Sequence, residues 1–196
     1  EALKTNTTGS GNTAVGRDAL ETNTANDNTA VGYEALKLNA AGTRNSAVGR
    51  NALEANTSGD NNTAMGTNAL LLNTTADNNT AFGADALTAN TTGDKNTAVG
   101  YGSQASNTSG RKNTAMGHNA LEYGSSANQN VAIGMEALRG NSASHYNTGI
   151  GMGALTDANR TADTDGYNTA LGFNAGNTGS NDITTGNKNT LLGAST

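Results

Sequence analysis

The chain of 196 residues contains no cysteine, no proline and no tryptophan. Without cysteine there is neither a disulfide framework nor a thiolate metal site. The lack of proline suits a backbone whose N–H groups are nearly all committed to neighbouring strands. Leu, Ile, Val and Phe together make 25 of the 196 residues, below the roughly 20% at which an ordinary globular core becomes doubtful. Disorder from that cause expects a high net charge as well, yet 11 Lys plus Arg against 16 Asp plus Glu leave only −5. Composition therefore decides nothing between order and disorder. The basic residues are few and form no cluster, which argues against nucleic acid, because phosphate-backbone affinity comes from several Lys or Arg acting together. The longest Ala/Leu run is Ala69-Leu70-Leu71-Leu72, far short of the roughly 18 apolar residues of a spanning helix, and no signal-peptide core is visible, so no membrane insertion is expected. The chain opens at Glu1 in mid-repeat, as a fragment or processed product would.

What the chain has instead is one sentence repeated. Anchored on the Asn of NTAxG, it recurs at Asn12, Asn28, Asn45, Asn62, Asn79, Asn96, Asn113, Asn130, Asn147, Asn168 and Asn189, at intervals of 16, then seven of 17, then two of 21. A fixed period means one structural unit stacked many times. Seventeen residues are too few for a helical hairpin and suit one coil of an all-β solenoid, or β-roll. Residues 1–155 read as regular 17-residue coils, and 156–196 as the same solenoid with two longer ones.

Four residues past each anchor stands Gly16, Gly32, Gly49, Gly66, Gly83, Gly100, Gly117, Gly134, Gly151, Gly172 or Gly193. Such a position needs positive φ or an approach too close for a Cβ, and marks a corner. The residue before it is always a larger apolar one, from Val15 to Leu192, and is expected to point into the coil. Its strand-mate two residues earlier, usually Thr and once Val131, would share that face. The residue between them is Ala in nine copies of eleven and would face out. So small an outward residue implies another surface close by, a second and third chain; plain duplication of the repeat is the rival explanation.

A second limb carries Ala-Leu at plus seven and eight, as in Ala35-Leu36 and Ala69-Leu70. Its neighbours favour helix by propensity, so this limb is either a strand or a short helical turn, and the short period inclines the reading to strand. Next comes N-T-x-G, as in Asn56-Thr57-Ser58-Gly59, whose stacked Asn residues would bond amide to amide at a corner. Eleven coils advancing about 4.8 Å each give a rod on the order of 50 Å. A lone chain with one Leu and one Val-type residue per coil buries little, so self-association is the natural remedy.

The segments Asn130–Gly134 (NVAIG), Asn45–Gly49 (NSAVG) and Gly100–Ser106 (GYGSQAS) resemble the head repeats of YadA-type trimeric autotransporter adhesins. The longer unit, and the ending NTALGFNAGNTGSNDITTGNKNTLLG, are similar to NTAxG repeats of phage tail-fibre and surface fibre proteins. The resemblance implies a parallel homotrimer of left-handed β-rolls displayed outside the cell or on a virion. The coil here has 17 residues, longer than the unit of YadA-type heads. The resulting expectation is a structural or adhesive fibre segment, a rigid shaft without enzyme activity or cofactor, whose partners are copies of itself and a surface glycan or receptor. Two alternatives stay open: a binder of an ordered surface such as ice or glycan, and a carbohydrate-binding tail fibre.

Site chemistry is sparse. His118 and His145 read as solvated turn residues rather than metal ligands. Asp60, Asp77 and Asp94 stack at 17-residue spacing and form either a cation-holding edge or a solvated ladder. Sequons at Asn6, Asn56, Asn61, Asn73, Asn78, Asn90, Asn107 and Asn159 are glycan acceptors or a by-product of the repeat. No nucleophile stands beside a base. Gln104 interrupts the Leu column and needs a partner or a water. The insertions at 156–167 and 176–188 are receptor loops or tolerated turns.

Overall fold

The computed structural model describes residues 1–156, 165–177 and 187–195. The repeat winds into an all-β parallel solenoid, each coil giving one three-residue strand: β1 (Thr13–Val15), β2 (Thr29–Val31), β3 (Ser46–Val48), β4 (Thr63–Met65), β5 (Thr80–Phe82), β6 (Thr97–Val99), β7 (Thr114–Met116), β8 (Val131–Ile133), β9 (Thr148–Ile150), β10 (Thr169–Leu171) and β11 (Thr190–Leu192). They form one eleven-stranded sheet in chain order. Like residues lie over like: Thr63 pairs with Thr80, Ala64 with Ala81, Met65 with Phe82. The longer coils keep the same register, Thr148 over Thr169 and Thr169 over Thr190. The strand stack is therefore not shifted by the longer coils.

The strand faces are opposite to the sequence expectation. In β3 to β8 the central Ala is buried while the residues on both sides of it are half-buried or exposed. The columns from Thr13 to Thr190 and from Val15 to Leu192 face outward, and the Ala column faces the core. The reason is room. Leu70 reaches across from the other limb and is fully buried, as is Ala64 opposite; once a Leu fills so narrow a coil, only a methyl group fits beneath the sheet.

The second limb is neither strand nor helix, and no helix occurs among the described residues. It is a run of turns with left-handed residues at alternate positions: Asn68 has φ 57° and Leu70 φ 52°, and each coil repeats the pair, as at Asp85 and Leu87. Left-handed backbone costs about 1–2 kcal/mol for a non-glycine residue. The return is bonding between coils, since the Leu70 N–H donates to the Ala86 carbonyl at 3.0 Å and Leu72 N–H to that of Thr88 at 3.0 Å. Residues that favour helix in isolation are thus overridden by the ladder.

A regular coil, such as the one that begins at Asn45, fills its interior with one Leu, two Ala and two Asn. The anchor Asn residues are buried from Asn28 to Asn168. Each presents Oδ1 to the backbone N–H of the next anchor, as Asn28 does to Asn45 at 2.9 Å and Asn45 to Asn62 at 2.9 Å. Most of their Nδ2 groups donate to a backbone carbonyl 14 residues on, Asn45 to Gly59 at 2.8 Å, whereas the Asn79 Nδ2 is buried without a partner. A second amide ladder runs Asn39, Asn56, Asn73, Asn90, Asn107, each Nδ2 donating to the Oδ1 of the preceding rung at 2.7–2.9 Å. At the next rung stands Gly124, and the Asn107 Oδ1 is left without a partner among the described residues.

Gln104 occupies a Leu position, fully buried. Its Nε2 donates to the Thr97 carbonyl at 3.0 Å, but Oε1 has no partner. A buried unsatisfied acceptor costs about 1–3 kcal/mol. Gln104→Leu, the residue used in neighbouring coils, is therefore expected to stabilise the chain by about 1 kcal/mol or more, read as a higher urea midpoint with unchanged slope.

Candidate functional site

The outward columns make the most extensive surface feature. One is hydroxylic: Thr13, Thr29, Ser46, Thr63, Thr80, Thr97, Thr114, Thr148, Thr169 and Thr190, with Val131 among them. The other is apolar and uneven in size; Met65, Phe82, Met116, Ile133 and Leu171 are between 36% and 54% exposed. Beyond the Gly corner a third column adds exposed Tyr101, Met135, Met152 and Phe173. The apolar character therefore widens towards the later coils. A soluble monomer seldom exposes a contiguous apolar patch beyond a few hundred Å², which makes this face the candidate contact surface.

The corner glycines stand beneath this face. From Gly16 to Gly193 they have φ between 122° and 141°, a region reserved for glycine. A Cβ on Gly83 would lie 2.6 Å from the Gly100 carbonyl oxygen.

The acidic column has a structural task. Asp60, Asp77 and Asp94 each present Oδ1 to a backbone N–H one coil earlier, those of Thr43, Asp60 and Asp77, at 2.7, 2.7 and 2.9 Å. Asn26 and Asn128 do the same for Ser10 and Arg111, both at 2.8 Å. His145 continues the row, its Nδ1 accepting from the Asn128 N–H at 3.0 Å, which puts the proton of the neutral ring on Nε2. His118 lies in a different column, stacked on Tyr101 with ring centres 5.4 Å apart. No group of three or more His, Asp or Glu side chains among the described residues could hold a metal ion.

The sequons divide by burial. Asn56, Asn73, Asn90 and Asn107 are fully buried in the second amide ladder, which puts their nitrogens out of reach of a glycosyltransferase in the folded chain. Asn61 and Asn78 are exposed. Asn159 and most of the insertions at 156–167 and 176–188 lie outside the described residues.

One cavity forms only when the coils stack. Arg111, Lys112, Asn128, Gln129, His145 and Tyr146 line an open hollow of about 290 Å³ where three successive coils turn their corner. The signal was a change of column: Asp60, Asp77 and Asp94 give way to Arg111, Asn128 and His145. Tyr146 and Tyr167 stack in parallel next door, ring centres 4.8 Å apart and planes 2° apart. The Tyr167 hydroxyl donates to Asp165 Oδ2 at 3.2 Å; desolvation, then this carboxylate, hold the phenol above its ordinary range. The chain matches no family model, no curated protein and no solved structure.

Proposed function

We propose that this chain is a shaft segment of a structural or adhesive fibre, a rigid repetitive rod that assembles as a parallel homotrimer on a cell surface or virion and performs no catalysis. The observation that carries this reading is the exposed Val, Met, Phe, Ile and Leu column on a sheet whose rungs are all in register. Any partner covering a face on the order of 50 Å long must itself be extended and regular, and a copy of the same chain meets that demand. The uneven side-chain sizes along the column suit interdigitation between copies better than contact with a flat lattice. The resemblance to YadA-type heads and tail-fibre repeats points the same way. Mechanically, amide and backbone ladders between coils resist bending and leave few strands open to proteases.

Sedimentation equilibrium tests this directly. The expected mass is about three times the 19.6 kDa of one chain, and Phe82→Asp with Met116→Asp is expected to release monomers that keep their β spectrum. A wild-type chain that stays monomeric at micromolar concentration overturns the assembly.

A second reading, binding to an ordered surface such as ice or crystalline glycan, is favoured by one observation: the Thr column faces outward, repeating at the strand spacing of about 4.8 Å. Thermal hysteresis at millimolar protein would support the ice version, and its absence would remove it.

A further inference from the structure

We infer that the corner hollow at Arg111, Lys112, Asn128, Gln129, His145 and Tyr146 is a binding site for a carboxylate-bearing saccharide, a site that does not depend on self-assembly. Its volume of about 290 Å³ is close to the ~300 Å³ lower bound of small-ligand clefts, enough for one sugar unit of a longer chain. On a chain of net charge −5, two adjacent cations face this hollow. Neither forms an ion pair among the described residues, whereas Lys37 and Arg139 are paired with Glu34 and Glu122.

The floor is rigid. The Arg111 N–H donates to Asn128 Oδ1 at 2.8 Å, Lys112 N–H to the Asp94 carbonyl at 3.0 Å, Gln129 N–H to that of Arg111 at 2.9 Å, and Tyr146 N–H to that of Asn128 at 3.1 Å. Lys112, Gln129 and Tyr146 share left-handed φ of 57–59° and stack in one column. A cation, an amide and an aromatic ring thus follow each other up the rod at coil spacing, with Arg111 beside the first.

Each group has a role that saccharide chemistry supplies. The Arg111 guanidinium offers a planar fork matched to a carboxylate, with Lys112 adding a point charge. The exposed Gln129 amide can donate to and accept from hydroxyls. The Tyr146 ring, held flat against Tyr167 and edge-on to His145, gives an amphipathic platform for the C–H face of a pyranose. A nucleic-acid strand would need a longer run of cations than two. A lone phosphate would have no use for the ring.

The full chain should be titrated, by NMR of its side-chain amides, with digalacturonate, sialyllactose, neutral cellobiose and inorganic phosphate. Binding of either acidic sugar, with shifts at Gln129 and Asn128, is expected; which one binds tells a uronic from a sialic source. Arg111→Asp with Lys112→Asn, the residues that earlier coils carry at these positions as Asp94 and Asn78, is expected to weaken it at least tenfold. Tyr146→Asn, which copies Asn78, is expected to weaken it severalfold; thermal melts verify that both variants fold. Equal binding of cellobiose, phosphate binding indifferent to Tyr146→Asn, or no binding of either acidic sugar would overturn the assignment.

Discussion

Gly83→Ala is expected to destabilise the chain by about 3 kcal/mol or more. Two costs combine. The backbone there has φ 141°, which costs an L-residue about 1–3 kcal/mol. The new methyl would also stand 2.6 Å from the Gly100 carbonyl oxygen and 2.7 Å from its carbon, and backbone displacement of that kind costs a further 1–3 kcal/mol or so. Gly59→Ala is the control. Its Cβ would sit 2.4 Å from the Ala76 carbonyl oxygen, yet φ is not positive there, and sibling coils carry Ala25, Ala76 and Ala127 at the same position, so the corner is known to adapt. Urea melts of both variants decide the matter: equal losses would mean that simple crowding, not the left-handed corner, sets the glycine requirement.

The second large effect separates the two faces of one strand. Ala81→Leu should cost about 3 kcal/mol, because three added carbons enter a column already closed by Ala64 below, Ala98 above and Leu70 and Leu87 opposite, all fully buried. Phe82→Ser, one residue on, removes a ring that is 54% exposed in the single chain and should leave the urea midpoint of the dissociated protein nearly unchanged while weakening association. If Phe82→Ser unfolds the monomer and Ala81→Leu is tolerated, the face assignment is reversed. Leu191 marks where the rule relaxes: it holds the Ala position in β11, at the sheet's edge, and is only partly buried.

These two variants also mark what could and could not be seen in the sequence. The period, the in-register stack and the Gly column follow from spacing alone, because a repeat of 17 residues leaves few other ways to pair. Hydrophobicity alone points the Thr and Val columns of Thr-Ala-Val inward, but size decides the facing. The better signal was variability: Val, Met, Phe, Ile and Leu trade places at one position while Ala is nearly constant at the next, and in a cramped interior it is the inner residue that cannot vary. The second limb was unreadable for a different reason. Asp18, Asn51, Asn68 and Asp85 hint at left-handed backbone by residue type, but Leu20, Leu36, Leu53 and Leu70 adopt it with no such hint. Their φ is imposed by bonds to the next coil, information that no local window contains. The cation and tyrosine corner is not legible in any local window, since its members lie 17 residues apart and become neighbours only through winding.

Each strand touches only the strand before it and the strand after it. Tension applied to the two chain ends would therefore never be shared across the molecule; it would fall on the outermost rung alone, and the thread would pay out one loop at a time. Each of the seven regular loops released adds 17 residues of slack, roughly 55–60 Å when taut. A rod of this build yields by lengthening step by step rather than by snapping.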